Sequence, residues 1–222
     1  MEFVKFLIFT ISTIFLSSCA NVSYHIGSVA GLTKEPIFDP NKTYTYYDKA
    51  VSNTLEFDEF EIMVTPYNSV QTNGNFELFF VPVEQQGSST GSVGKTPFQI
   101  SVSVKGELNT TKFIPFKSKL NNDVGVQLVK WRDPKPSCNY HYTDWITLEP
   151  NTIHVVKDRQ RNQEEKCMKP GWVEYLLAFN LKTPNPTERF SLALSFQDIK
   201  TNQIINKKLF FNGAKFVSTQ TH

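Results

Sequence analysis

The sequence predicts an all-β protein, an antiparallel sandwich of about ten strands with an immunoglobulin-like or related topology. Three observations predict it: apolar residues that alternate with polar ones, turn-forming clusters between those stretches, and enough aromatic residues to fill a core. Phenylalanine alone occurs 19 times and aromatic residues make up 14% of the 222-residue chain, which also argues against disorder.

In chain order, residues 1–18 come first, with one basic residue, Lys5, ahead of an apolar run from Phe6 to Leu16 that ends in small residues. That is the layout of a secretory signal. The run is far short of the ~20 residues a spanning helix needs, so it reads as a removed signal and not as an anchor. Leu16-Ser17-Ser18-Cys19 resembles the lipobox of bacterial lipoproteins, a resemblance confined to the signal. It implies cleavage before Cys19, a diacylglyceryl group on the Cys19 sulfur, and a freed amine open to acylation. Two or three acyl chains at about 0.8 kcal/mol per buried CH₂ make a stable membrane anchor, whereas a single chain binds marginally. Ala20 stands where inner-membrane lipoproteins often carry aspartate, so the resemblance implies the cell envelope and leans toward its outer membrane. The alternative is a secreted protein with a chance cysteine near its cleavage site.

From 19 to 54 the pattern is irregular, broken by Gly27, Gly31, Pro36 and Pro40. It reads as a lipidated N-terminus and tether, joined late by a short strand at Thr43 to Tyr47. Residues 55–222 read as the sandwich. There Phe60, Ile62 and Val64 alternate with Glu59, Glu61 and Met63, and Phe98, Ile100, Val102 and Val104 with Gln99, Ser101, Ser103 and Lys105. Phe190, Leu192, Leu194 and Phe196 repeat the pattern, so each stretch is expected to be a strand with one face buried and one wet. Asn73-Gly74-Asn75, Asn121-Asn122-Asp123, Thr183-Pro184-Asn185-Pro186 and Asn212-Gly213 read as turns. Residues 172–181 fit a buried strand with Val173, Tyr175, Leu177, Phe179 and Leu181 on one side. A helix with Trp172, Tyr175, Leu176 and Phe179 on one face is the alternative. A faint echo between Phe60–Phe80 and Phe190–Phe211 leaves open two small sandwiches divided near 106–123, though chance similarity between hairpins is the simpler account.

Apart from Cys19 the cysteines are Cys138 and Cys167, an even pair that an exported chain is expected to join as a disulfide. Closing a loop with 28 residues between the cysteines is worth about 3 to 4 kcal/mol in the chain-entropy account, and it would pin the polar run 157–166. Cys138, His141, His154 and Cys167 also form a tetrahedral zinc set by ligand type, but the spacing lacks the two close pairs of a zinc finger. No metal or cofactor is expected.

Ser89 to Thr96 comes within one residue of a phosphate-binding loop, yet Pro97 and an alternating strand follow where a helix is needed. Glu56, Asp58, Glu59 and Glu61 supply paired carboxylates without calcium-loop spacing and read as the wet face of a strand. His141 has no serine nominated by a nucleophile elbow, so no catalytic residue is expected. The formal charge of +2, spread along the chain, offers no footprint for nucleic acid. Trp131, Tyr140, Tyr142, Trp145 and Trp172 crowd into or beside the bracketed segment, as core beneath a long loop or as a recognition surface. The expectation is a noncatalytic, lipid-anchored envelope protein that binds a partner protein or supports an assembly. A glycan-binding surface module is the alternative, and a hydrolase a more distant one.

Overall fold

A computed structural model describes residues 20–39, 41–45, 54–73, 76–78, 81–83, 88–89, 91–106, 110–132, 144–150, 154–155 and 172–221. Strands β1 (Ala20–Gly31), β2 (Thr43–Thr45), β3 (Thr54–Glu56) and β4 (Phe60–Pro66) come first. Short strands β5 (Val70–Asn73), β6 (Phe76–Leu78), β7 (Val81–Val83) and β8 (Ser88–Ser89) follow. Next come β9 (Phe98–Gly106), β10 (Thr111–Phe113), β11 (Lys119–Leu120) and β12 (Val124–Arg132), with a 3-10 turn at Pro115–Lys117. Strands β13 (Ile146–Leu148), β14 (His154–Val155), β15 (Val173–Phe179), β16 (Phe190–Asp198) and β17 (Ile204–Thr221) complete the set.

Most of these strands form an antiparallel sandwich; β2 pairs parallel with β17, and β6 with β7 makes a separate two-stranded ladder. One sheet runs β8-β5-β1-β17-β16-β11, with β10 also on β16, and the other runs β3-β4-β9-β15-β12, with β13 also on β12. Strand β12 joins them: Val124 and Gly125 pair with β11, while Val126 to Arg132 pair with β15 across a register shift. The alternating residues of β4, β9, β15 and β16 face one shared interior, where Ile62, Val64, Val102, Tyr175, Leu192 and Leu194 are fully buried. Aromatic rings bridge the sheets at both ends of that interior. Phe60 stacks on Phe196 at 4.2 Å and Phe113 meets Tyr175 at 4.9 Å, while Phe98 meets Phe190 at 5.5 Å toward the opposite end. Residues on both sides of 106–123 belong to this one core.

Within residues 172–181 the chain forms the strand β15, Val173–Phe179, buried on both faces, and not a helix. The tether expected over 19–54 is instead opened by β1, twelve residues paired along their whole length with β17. The glycines that suggested breaks lie within the strand: a Cβ on Gly31 would crowd Ile37 at 3.0 Å, and one on Gly27 would make ordinary contact with Phe216 and Ser69 at 3.9 Å. Likewise Asn212-Gly213 is no turn but an interior stretch of β17, paired with Val29 and Ser28. Glycine is needed there because a Cβ would stand 2.8 Å from the Pro186 carbonyl oxygen. The two echoing segments also pair differently, since β16 forms a hairpin with β17 whereas β4 pairs with β9 and β5 with β1.

The register gives the molecule two ends. Ala20 faces Thr221 at the stem end, and Ile204 faces Gln197 at the far pole, where Asp198 also pairs with Thr111. At about 3.3 Å per residue, β17 spans roughly 55 Å between them.

Candidate functional site

On the outward face of the second sheet, β12, β15 and β9 place Arg132, Glu174 and Ser103 in one cross-strand row. Since Ile146 pairs with Trp131, its predecessor Trp145 reaches the same row beside Arg132. Glu174 is a charge in an otherwise apolar strand and is only 8% exposed. Its charge is compensated: Arg132 Nε–H donates to Oε2 at 2.7 Å, Arg132 Nη2 approaches the same oxygen at 2.7 Å, and Ser101 Oγ–H donates to Oε1 at 2.8 Å. A buried carboxylate without such partners would carry a desolvation penalty of several kcal/mol. The Arg132 guanidinium carbon sits 4.2 Å from the Trp145 ring centre, a cation-π stack that completes the positioning.

Tyr67, just after β4, borders this cluster and hydrogen-bonds Ser101. Burial and then the Glu174 carboxylate push its phenol above the ordinary tyrosine range, while Arg132 and Ser101 pull the other way. Further toward the far pole, Lys105 lies 3.7 Å from Glu61 and 5.9 Å from the Trp172 ring. A shallow depression of about 210 Å³ opens beside it, lined by Phe57, Asp58, Glu59, Phe60, Glu61 and Gly106. Thr111 Oγ1–H donates to Glu59 at 3.3 Å, and Lys207 covers the Phe57 ring at 4.6 Å.

Of the five aromatic residues expected to mark a surface or a core, three lie among the described residues. Trp145 is half-buried beneath Arg132, Trp172 is 9% exposed, and Trp131 packs against the main core. Tyr140, Tyr142, His141, Cys19 and the expected disulfide pair Cys138 and Cys167 lie outside the described residues. His154 is described only in its backbone pairing with Phe113. The near-phosphate loop forms turns at residues 91–94 and leads straight into β9; Gly94 N–H and Thr183 N–H hydrogen-bond Thr183 O and Lys95 O, tying it to the loop after β15. Among the described residues no cluster of histidine, cysteine and carboxylate could hold a metal, and no helix is long and apolar enough to cross a membrane. Sequence reasoning passed over Arg132, Glu174, Ser101 and Tyr67. The signal for one of them was present, since Glu174 is the one charged residue of an otherwise apolar strand, whereas β12 offers Lys130 as well as Arg132 and only the pairing register selects Arg132.

What this arrangement does chemically is fix a guanidinium and an indole on a rigid sheet. Both oxygens of the carboxylate are occupied by donors, so Glu174 acts as a positioning group for Arg132. No known protein family matches the chain, and neither does any curated protein or solved structure.

Proposed function

We propose that the chain is a noncatalytic, lipid-anchored protein of the bacterial cell envelope whose sandwich binds a partner protein with its far pole. One observation carries this reading: the end of β1 next to Cys19 and the charged and aromatic features of the second sheet lie at opposite ends of the molecule. A lipid on Cys19 would therefore hold the stem end at the membrane and leave Arg132, Trp145, the half-exposed Ile146 and the acidic depression facing away from it. Charged rims around aromatic anchors suit protein recognition.

Two measurements test it. Cys19→Ser should move the protein from the membrane to the soluble fraction. A photo-crosslinking residue at Ile146 or Asn202 should capture one protein repeatedly from intact cells, while the same residue at Tyr24 should not. Retention on the membrane by Cys19→Ser, or crosslinking that recovers no protein from the far pole, would sink the reading. The Trp145–Arg132 stack favours a glycan ligand as the second reading. In that case Trp145→Ala abolishes polysaccharide retention while thermal unfolding stays cooperative.

A further inference from the structure

Below Ser28 and Gly213 the sandwich body ends. Strand β16 makes its last pair with β17 at Phe190 and Phe211, and Ser28 is fastened to the body by its hydroxyl donating to Pro186 O at 3.2 Å while receiving Asn68 Nδ2–H at 2.8 Å. Residues 20–27 and 214–221 continue past this point as paired strands. Eight residues at about 3.3 Å each carry them roughly 25 Å beyond the body.

A bare two-stranded ribbon of that length is only marginally stable in water, but this one is reinforced on three sides. Strand β5 pairs with residues Ser23 to Ile26 and is backed by β8, and β2 runs parallel along Lys215 to Val217. Across one face lies a small apolar cluster of Val29, Phe38, Ala214 and Phe216 with Tyr44, separate from the main core. Phe38 meets Tyr44 at 4.7 Å and Phe216 at 6.0 Å, and the Asp39 N–H donates to the Tyr44 hydroxyl at 2.9 Å. Among the described residues, only Ala20 to Val22, with Thr219 to Thr221, extend as two strands alone.

We infer that β1 and β17 form a stiff stem that holds the sandwich at a set height above the lipid surface, with the far pole outward. The inference rests on lipidation of Cys19, because Ala20, the residue that opens β1, is its immediate neighbour. A flexible tether of the same number of residues would let the domain wander and lie down on the membrane. The stem instead commits the far pole to partners that reach a plane roughly 50 Å from the lipid.

The test uses the full lipidated chain in vesicles of phosphatidylethanolamine and phosphatidylglycerol, with a donor fluorophore introduced genetically at Asn202 and acceptors on the lipid headgroups. Mass spectrometry of the N-terminal peptide reports lipid on Cys19 independently. The expected result is one narrow donor lifetime with weak transfer. Insertion of twelve Gly/Ser residues between Cys19 and Ala20 should broaden it and raise transfer severalfold. If Cys19 is lipidated and the parent chain already shows the broad distribution of the insertion variant, the stem inference is overturned and the anchor stands. If Cys19 carries no lipid, the anchor is overturned and the spacer role with it.

Discussion

Replacing Arg132 with methionine isolates the charge of Glu174 while keeping much of the side-chain volume. In the native protein Oε2 receives two arginine nitrogens and Oε1 one serine hydroxyl. The variant leaves Ser101 beside a carboxylate that is 8% exposed. Removing one partner from a buried ion pair costs about 3–5 kcal/mol, and the arginine, 25% exposed, puts this pair near the lower end, about 3 kcal/mol. For a chain of this length each kcal/mol moves Tm by about 2–4 °C, so Arg132→Met should melt roughly 6–12 °C lower. The double variant Arg132→Met/Glu174→Met removes both charges and should recover most of that loss, because a packed apolar pair often matches a buried ion pair in stability. Thermal and urea unfolding of the parent, both single variants and the double variant complete the cycle. A loss below about 1 kcal/mol for Arg132→Met, or a double variant that loses the sum of the two singles, refutes the claim that Arg132 compensates Glu174.

Gly213→Ala should destabilise by about 1–3 kcal/mol in urea unfolding because the new methyl meets a backbone oxygen, whereas Gly125→Ala, with open space around it, should be near neutral. Phe196→Ala should cost about 3–5 kcal/mol, since this fully buried ring lies 4.2 Å from Phe60 and 5.0 Å from Phe113; a smaller loss by calorimetry would mean that the core refills the space. Tyr67 should titrate above the ordinary phenol range in ultraviolet difference spectra against Tyr67→Phe, and Glu174→Gln should lower it. The fold favours its neutral form, so this contribution to stability is intact below pH ~10 and is lost as pH rises through the raised value.

The sandwich core was legible because its inward residues follow a strict period of two. Phe98, Ile100, Val102 and Val104, read from alternation alone, are all fully buried in β9. Strand β1 was not legible, because it lies mostly in the stem, where Ser23 to Gly27 stay outside the main core and no inward-facing period of two is imposed, and because Gly31, which read as a break, packs against Ile37. Asn212-Gly213 misled for a related reason: glycine serves there to admit the Pro186 carbonyl, a tertiary contact invisible in local sequence. The charged row was half legible. A lone glutamate in β15 signals a partner, but only the register of β12 identifies it as Arg132.

The unbroken passage of β17 from body into stem has a mechanical consequence. If, as proposed, residue 19 is held by lipid and the far pole by a partner, tension would run along the axes of β1 and β17. Their twelve residue pairs then bear load together in shear, rather than peeling one after another from an end. Forced unfolding is governed by the barrier and not by equilibrium stability. Pulled this way, the chain should yield at far higher force than when drawn apart at Ala20 and Thr221, a pair that opens like a zip.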